Sequence, residues 1–255
     1  MHSLLLPARQ AKPRAQGLTM VIDNGVPNQL FEDVISSSGE YVDLVKFGWG
    51  TALVTPDIKG KIAVLQQNNI QFMFGGTLFE KHVLQGRLEE YREFCLEHEC
   101  QVVEVSNGTI HLGHEQKARY VSQLASDFDV IAEVGFKDQP RSELLAPSQW
   151  VASIRRDLNA GARSVILEAR ESGTSGICRP DGEIRFGLIE DILAAGVDVS
   201  RLIFETPTKE LQTYFIKRVG PEANLGNIAM TDIIGVETLR LGLRAETLLD
   251  TLEAR

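Results

Sequence analysis

The chain has 255 residues, 43% hydrophobic and 24% charged, a balance ordinary for a soluble globular protein and enough for a core that folds without staples. Its formal net charge of −9 argues against a general nucleic-acid or membrane surface, so no nucleic acid and no membrane is expected as partner. No apolar run approaches the roughly 20 residues of a membrane helix. Cys95, Cys100 and Cys178 form neither a paired framework nor a metal-type spacing, which reads as a reducing compartment and predicts a cytoplasmic protein.

Residues 1–16 hold Leu4, Leu5 and Leu6, followed by Arg9, Lys12 and Arg14. The apolar stretch is too short, and the charges lie on the wrong side, for a secretory signal. These residues are expected to form a mobile N-terminal tail, with residues 17–255 as a single domain. Within that domain, strands are predicted over residues 18–23, 42–48, 70–75, 102–106, 130–137, 164–170, 202–205 and 224–228. Each is a short apolar or β-branched run closed by polar, charged or glycine residues, as strands covered on both faces should be.

Helical spacings fill the gaps. Ile58, Ile62 and Leu65 follow Thr55 as N-cap and Pro56 at the first helical position. Further stripes are Leu88/Tyr91/Cys95, Ala118/Val121/Ala125, Val151/Ile154/Leu158, Leu188/Ile192/Ala195 and Leu211/Phe215/Val219, with a long helix predicted from Thr231. Such stripes are packing faces for a sheet. Eight strand–helix alternations form either a closed barrel or an open doubly wound sheet. With no dinucleotide or phosphate-loop glycine fingerprint after the first strand, the count predicts an α/β fold, a single (β/α)8 TIM-type barrel.

In such barrels the working residues stand at the C-terminal ends of the strands. Period-two alternation turns Glu104, Glu133, Glu168 and Glu205 inward, with Lys46, Lys137 and Arg170 among them. Several carboxylates in one mouth repel one another unless cations intervene. The cations are either the basic side chains, in a structural ion-pair ring, or include a hard metal such as Mg²⁺, which takes oxygen ligands. Lys137 reads either as an acid or base with a shifted pKa or as a counter-ion to Glu133. His82, His98, His111 and His114 show no ligand spacing and read as solvated. The final loop, with Asn224, Gly226 and Asn227, is a candidate anion site, because Gly226 allows close backbone approach.

The segments LVKFGWGT (44–51), GGTLFE (75–80), VEVSNGTI (103–110), EVGFK (133–137), DLNAGARSVILEARESG (157–173) and NLGNI (224–228) resemble the signature blocks of the phosphosulfolactate synthase family, in order and across nearly the whole chain. Plant heat-stress-associated proteins are similar to that family without a shared activity being implied. The resemblance implies a (β/α)8 enzyme of the carbon–sulfur lyase class. Its reaction is the Mg²⁺-dependent joining of sulfite to phosphoenolpyruvate, on the route to sulfolactate and coenzyme M. By resemblance Lys137 protonates the second carbon. Lys46 and Arg170, with Asn224, Gly226 and Asn227, bind the substrate anions, and Glu104, Glu133, Glu168 and Glu205 hold the metal. A homo-oligomer is expected. The family pattern has lysine where Asn24 stands, a second lysine where Phe136 stands, and alanine where Thr206 stands. Two rival readings remain: a related enzyme on another enol-type carboxylate, and a non-catalytic stress-associated barrel.

Overall fold

The alternation in the sequence resolves, in a computed structural model that describes residues 4–249, into eight parallel strands. They are β1 (Thr19–Asp23), β2 (Leu44–Phe47), β3 (Gln71–Phe74), β4 (Val102–Val105), β5 (Asp129–Val134), β6 (Ser164–Leu167), β7 (Leu202–Glu205) and β8 (Leu225–Ala229). All eight lie where they were expected. The ladder runs β3-β2-β1-β8-β7-β6-β5-β4. β3 and β4 meet at the seam, where the Cys100 thiol donates to the Phe72 carbonyl at 3.4 Å and Gln71 to Gln101 at 3.2 Å. The chain is a single (β/α)8 barrel.

Because successive side chains on a strand point to opposite faces, the strands separate two apolar layers. Met20, Leu44, Met73, Val102, Ile131, Ile166 and Ile203 plug the lower interior. Their neighbours, among them Val21, Val45, Val103, Val165 and Phe204, pack outward against the helices. The next inward position on several strands is charged, so the plug becomes the floor beneath a polar mouth.

The helices are α1 (Asn28–Ser38), α2 (Ile58–Gln67), α3 (Gly76–Leu84), α4 (Leu88–Glu97), α5 (His114–Leu124), α6 (Gln139–Leu144), α7 (Pro147–Asn159), α8 (Phe186–Ala194), α9 (Lys209–Val219) and α10 (Ile233–Arg240). Three of them, α1, α3 and α6, are additions that no stripe signalled. The α2 cap is Asp57, whose carboxylate accepts from the Gly60 N–H at 3.0 Å, not Thr55. The last helix is short and starts after Asp232, not at Thr231.

The mobile tail is also corrected for its described part, residues 4–16. Arg9 pairs with Glu222 and Glu237, each at 2.9 Å. Lys12 donates to the carbonyls of Gly39 and Val42, and Arg14 pairs with Asp43 at 3.0 Å. The basic residues that suggested a solvated tail are the pins that fasten it to the barrel floor. Arg9→Met is therefore expected to lower the unfolding free energy by about 1.5–3 kcal/mol, the scale of hydrogen bonds to charged groups. Urea titration measures this, and an unchanged midpoint would mean that the tail contributes nothing.

Candidate functional site

Directly above the apolar plug, Lys46 on β2, Glu104 on β4, Glu133 on β5, Glu205 on β7 and Glu168 just past β6 converge inside the barrel, each at most 5% exposed. Lys46 Nζ lies 3.3 Å from Glu104 Oε1 and 3.2 Å from Glu205 Oε1. Lys137 Nζ lies 2.8 Å from Glu133 Oε1 and 3.0 Å from Glu168 Oε2. Backbone donors complete the ring: Glu205 Oε2 accepts from the N–H of Ala169 at 2.9 Å and of Arg170 at 3.1 Å. Glu168 Oε1 accepts from the Arg170 N–H at 2.6 Å.

Lys137 and Arg170 reach this ring by a route that strand alternation does not describe. β5 ends at Val134 and the chain turns at Gly135, whose φ is 125°. A side chain there would meet Glu168 at 2.6 Å and Trp150 at 2.7 Å, so both the backbone angle and the space require glycine. The turn is held by the Lys137 N–H on the Gly108 carbonyl at 3.0 Å, and the Lys137 side chain folds back over Glu133. Below it, Lys117 of α5 donates to the Glu133 carbonyl and pairs with Asp157 of α7 at 2.7 Å, all buried. Arg170 lies past the end of β6 in the left-handed region, with φ 61°. Its guanidinium has a 3.5 Å contact with the Lys137 carbonyl, its Nε is buried without a partner, and no carboxylate of the described residues pairs with it.

Burial sets the electrostatics. It pushes the Glu104 carboxyl from 4.5 up to about 8, against Lys46 and with help from Glu133. Burial and the neighbouring Glu133 and Glu205 also hold the Glu168 carboxyl well above its usual range. For Glu133 burial is outweighed by Lys137 and Lys46, and its carboxyl stays well below that range. Burial alone would lower Lys137, but Glu133 and Glu168 prevail and keep its ammonium firmly protonated. Glu133, Glu168 and Glu205 offer oxygens within 4.8 Å of one another, an all-oxygen set suited to a hard cation. Glu104, the fourth expected ligand, is turned to Lys46 and stands outside this group.

The expected anion loop is mostly corrected. Asn224 precedes β8 and so belongs to the floor, where its amide binds the Leu18 N–H and the carbonyls of Ser200 and Leu202. Gly226 sits in a tight place within β8, where a side chain would displace the Met20 methyl at 2.6 Å and crowd Ile203 at 3.1 Å. Its carbonyl accepts from the Thr206 N–H and hydroxyl, which gives Thr206 a stitching role between β7 and β8. Only Asn227 reaches the mouth, bordering a pit of about 20 Å³ beside Lys46 and the glutamates. Above the pit opens a cavity of about 680 Å³ whose wall includes Trp49, Thr77, Thr109, His111, Arg141 and Glu171. Sequence reasoning missed all six as site residues. Trp49, Thr109, His111 and Glu171 come from loops without periodicity and Thr77 and Arg141 from the unsignalled helices α3 and α6, although the quoted blocks contain Trp49, Thr77, Thr109 and Glu171.

The Glu104 carboxyl has a pH signature. The folded state keeps a proton that the unfolded state releases between about pH 4.5 and 8. Its contribution is full below that window and lost as pH rises through it. Glu104→Gln is expected to flatten the fall in Tm across the window. Parallel Tm curves for variant and wild type would mean that Glu104 is ionised throughout.

The family model for (2R)-phospho-3-sulfolactate synthase (ComA) matches residues 7–246. A phosphosulfolactate synthase of Bacillus subtilis (strain 168) is 47% identical over 245 residues, covering 96% of this chain and 97% of the relative. One from Methanothermobacter thermautotrophicus is 40% identical, covering 96% of each. Among solved structures, an orotidine 5'-monophosphate decarboxylase of Methanocaldococcus jannaschii superposes with TM-score 0.58 at 11% identity, over 91% of this chain and 99% of that one, a likeness of fold alone. With that extent of match, the chain belongs to the phosphosulfolactate synthase family.

Proposed function

We propose that this protein joins sulfite to phosphoenolpyruvate, giving 2-phospho-3-sulfolactate, with Mg²⁺ at the mouth of the barrel. The observation that carries the reading is the Lys137 ammonium resting on Glu133 and Glu168, two of the three convergent carboxylates. A protonated amine at the edge of a cation-binding carboxylate set is what a conjugate addition needs, because the reaction builds up charge and then consumes a proton.

The sulfite sulfur gives its lone pair to the methylene carbon, forming the C–S bond. The π electrons move toward the second carbon and the carboxylate as an enediolate. Lys137 delivers a proton from Nζ to the second carbon and is left neutral until water restores it. Lys46 and Arg170 offset the charge of the entering anions. Glu168 Oε2 is buried with the Lys137 ammonium as its ion-pair partner, and every donor in the trio is oxygen, which fits Mg²⁺ and not Zn²⁺. Glu133, Glu168 and Glu205 would hold the ion, which when bound supplies a Lewis acid for the charge on the substrate carboxylate.

Lys137→Met, checked for folding by circular dichroism, is expected to lose turnover by roughly 10²–10⁴-fold, the range for a general acid, and far less substrate affinity. Lys137→Arg should not rescue it, since guanidinium holds its proton too tightly. Near wild-type turnover in the arginine variant, read by phosphorus NMR of the product, would leave Lys137 as a charge partner only. Exhaustive chelation should abolish product formation and Mn²⁺ should restore it, whereas Zn²⁺ should not. Full activity after chelation would remove the ion from the reaction.

A further inference from the structure

The two free spaces in the mouth differ enough in size to orient a substrate. The pit beside Lys46 and the glutamates offers about 20 Å³, room for about one water molecule. A tetrahedral oxyanion, with four substituents around its central atom, is too large for it. The cavity above has about 680 Å³, and Arg170 borders both spaces. A planar carboxylate can approach the pit edge-on, while a phosphoryl group belongs above Arg170.

The loops after β7 and β8, where many barrels hold phosphate on a helix N-terminus, are closed to it here. At the start of α9 the Thr208 hydroxyl already accepts from the Leu211 N–H at 3.3 Å, and Glu210 lies in the first turn. Asp232 stands at the start of α10. Carboxylates at both helix starts repel a phosphate dianion.

The opposite rim carries more positive than negative charge, with Lys137, Arg141 and Arg170 against Asp138 and Glu171. Arg141 donates to the carbonyls of Gly108 and Thr109, each at 3.0 Å, and of Ile110 at 3.3 Å. Its guanidinium lies 4.6 Å from the centre of the Phe136 ring, which gives a purpose to the aromatic residue at that position. These partners are neutral and leave its charge in place. Asp138, exposed at 3.5 Å, is its one carboxylate within ion-pair reach among the described residues. Arg170 has none, and its Nε is buried without a partner.

We propose that Arg141 and Arg170, with His111 and Thr109, form the subsite for the substrate's phosphoryl group, under the loops after β4, β5 and β6. The substrate then lies with its carboxylate toward the pit and its phosphate outward. The assignment rests on the reading that the substrate is a phosphorylated carboxylate.

Calorimetric titration of the full chain with phosphoenolpyruvate, pyruvate and inorganic phosphate, together with steady-state kinetics, tests it. Arg141→Met is expected to weaken phosphoenolpyruvate and inorganic phosphate by about tenfold or more, as loss of a charge-assisted contact should. Pyruvate affinity and the KM for sulfite should stay as in wild type, and kcat should be kept while the KM for phosphoenolpyruvate rises. Wild-type affinity for both phosphates in the variant, or a rise confined to the sulfite KM, overturns the subsite. If Arg141→Met does not fold, His111→Ala decides, because His111 is exposed and makes no hydrogen bond among the described residues. Weaker binding of inorganic phosphate by that variant supports the subsite, and unchanged binding overturns it. A protein that binds phosphate through Arg141 but forms no phosphosulfolactate keeps the subsite and loses the activity. Product formation with an unchanged phosphoenolpyruvate KM in Arg141→Met does the opposite.

Discussion

Two lysine ammonium groups interleaved with four buried glutamates govern the upper half of this barrel. Taking carboxylates out of water costs several kcal/mol each, and partners offset this only with good geometry and filled lone pairs. Lys46 spans Glu104 and Glu205 almost symmetrically, and Lys137 spans Glu133 and Glu168. Two backbone N–H groups, from Ala169 and Arg170, serve Glu205. The compensation is uneven: Glu133 stays ionised, while burial raises the carboxyls of Glu104 and Glu168. An arrangement made only for stability would have continued the apolar plug upward by one more layer.

The supporting structure follows from holding that ring in register. Lys117 and Asp157 come from different helices, are both buried, and meet at the Glu133 carbonyl. They fix the end of β5 from outside while Lys137 loads it from within. The turn at Gly135 is tight against Glu168 and Trp150, so the β5 and β6 ends are packed as one unit. At the other end of the barrel, Arg240 donates to the carbonyls of Leu18, Pro221 and Ala223, fastening β1 to the segment that leads into β8. Floor and mouth thus use the same device, a buried cation that gathers strand ends.

The parts of this design that follow from period-two alternation were legible in the sequence. The eight strands, the barrel and the inward placing of Lys46, Glu104, Glu133 and Glu205 need only the knowledge that neighbours on a strand face opposite ways. Legibility fails where the strand stops. Lys137 and Arg170 lie beyond positive-φ turns or in one, and their arrival at the ring depends on contacts with β4 and β7 that local pattern does not contain. Asn224 was misplaced because strand direction was neglected: the start of a parallel strand is at the floor. The tail's attachment was not legible because the partners of Arg9, Glu222 and Glu237, are more than 200 residues away. His111 belongs to a loop and Arg141 to the short helix α6, which no apolar stripe announced, and there residue type alone carries no address.

The charge on Lys137 and the convergence of oxygens in the trio are two expressions of one field. Glu133 and Glu168 hold the ammonium protonated, and the same two carboxylates, with Glu205, form the oxygen set. Each oxygen committed elsewhere is one that no longer stabilises the Lys137 proton. At rest the amine is loaded and held too firmly to be a good acid. Any positive charge that neutralises Glu133 and Glu168 weakens that hold and draws the amine's pKa back toward its ordinary value, which improves it as a donor. In the proposed reaction the proton would therefore leave most easily once those two carboxylates are neutralised. A residue with an ordinary lysine pKa, exposed at the rim, would have no such dependence, and this is the physical advantage of burying a lysine among glutamates.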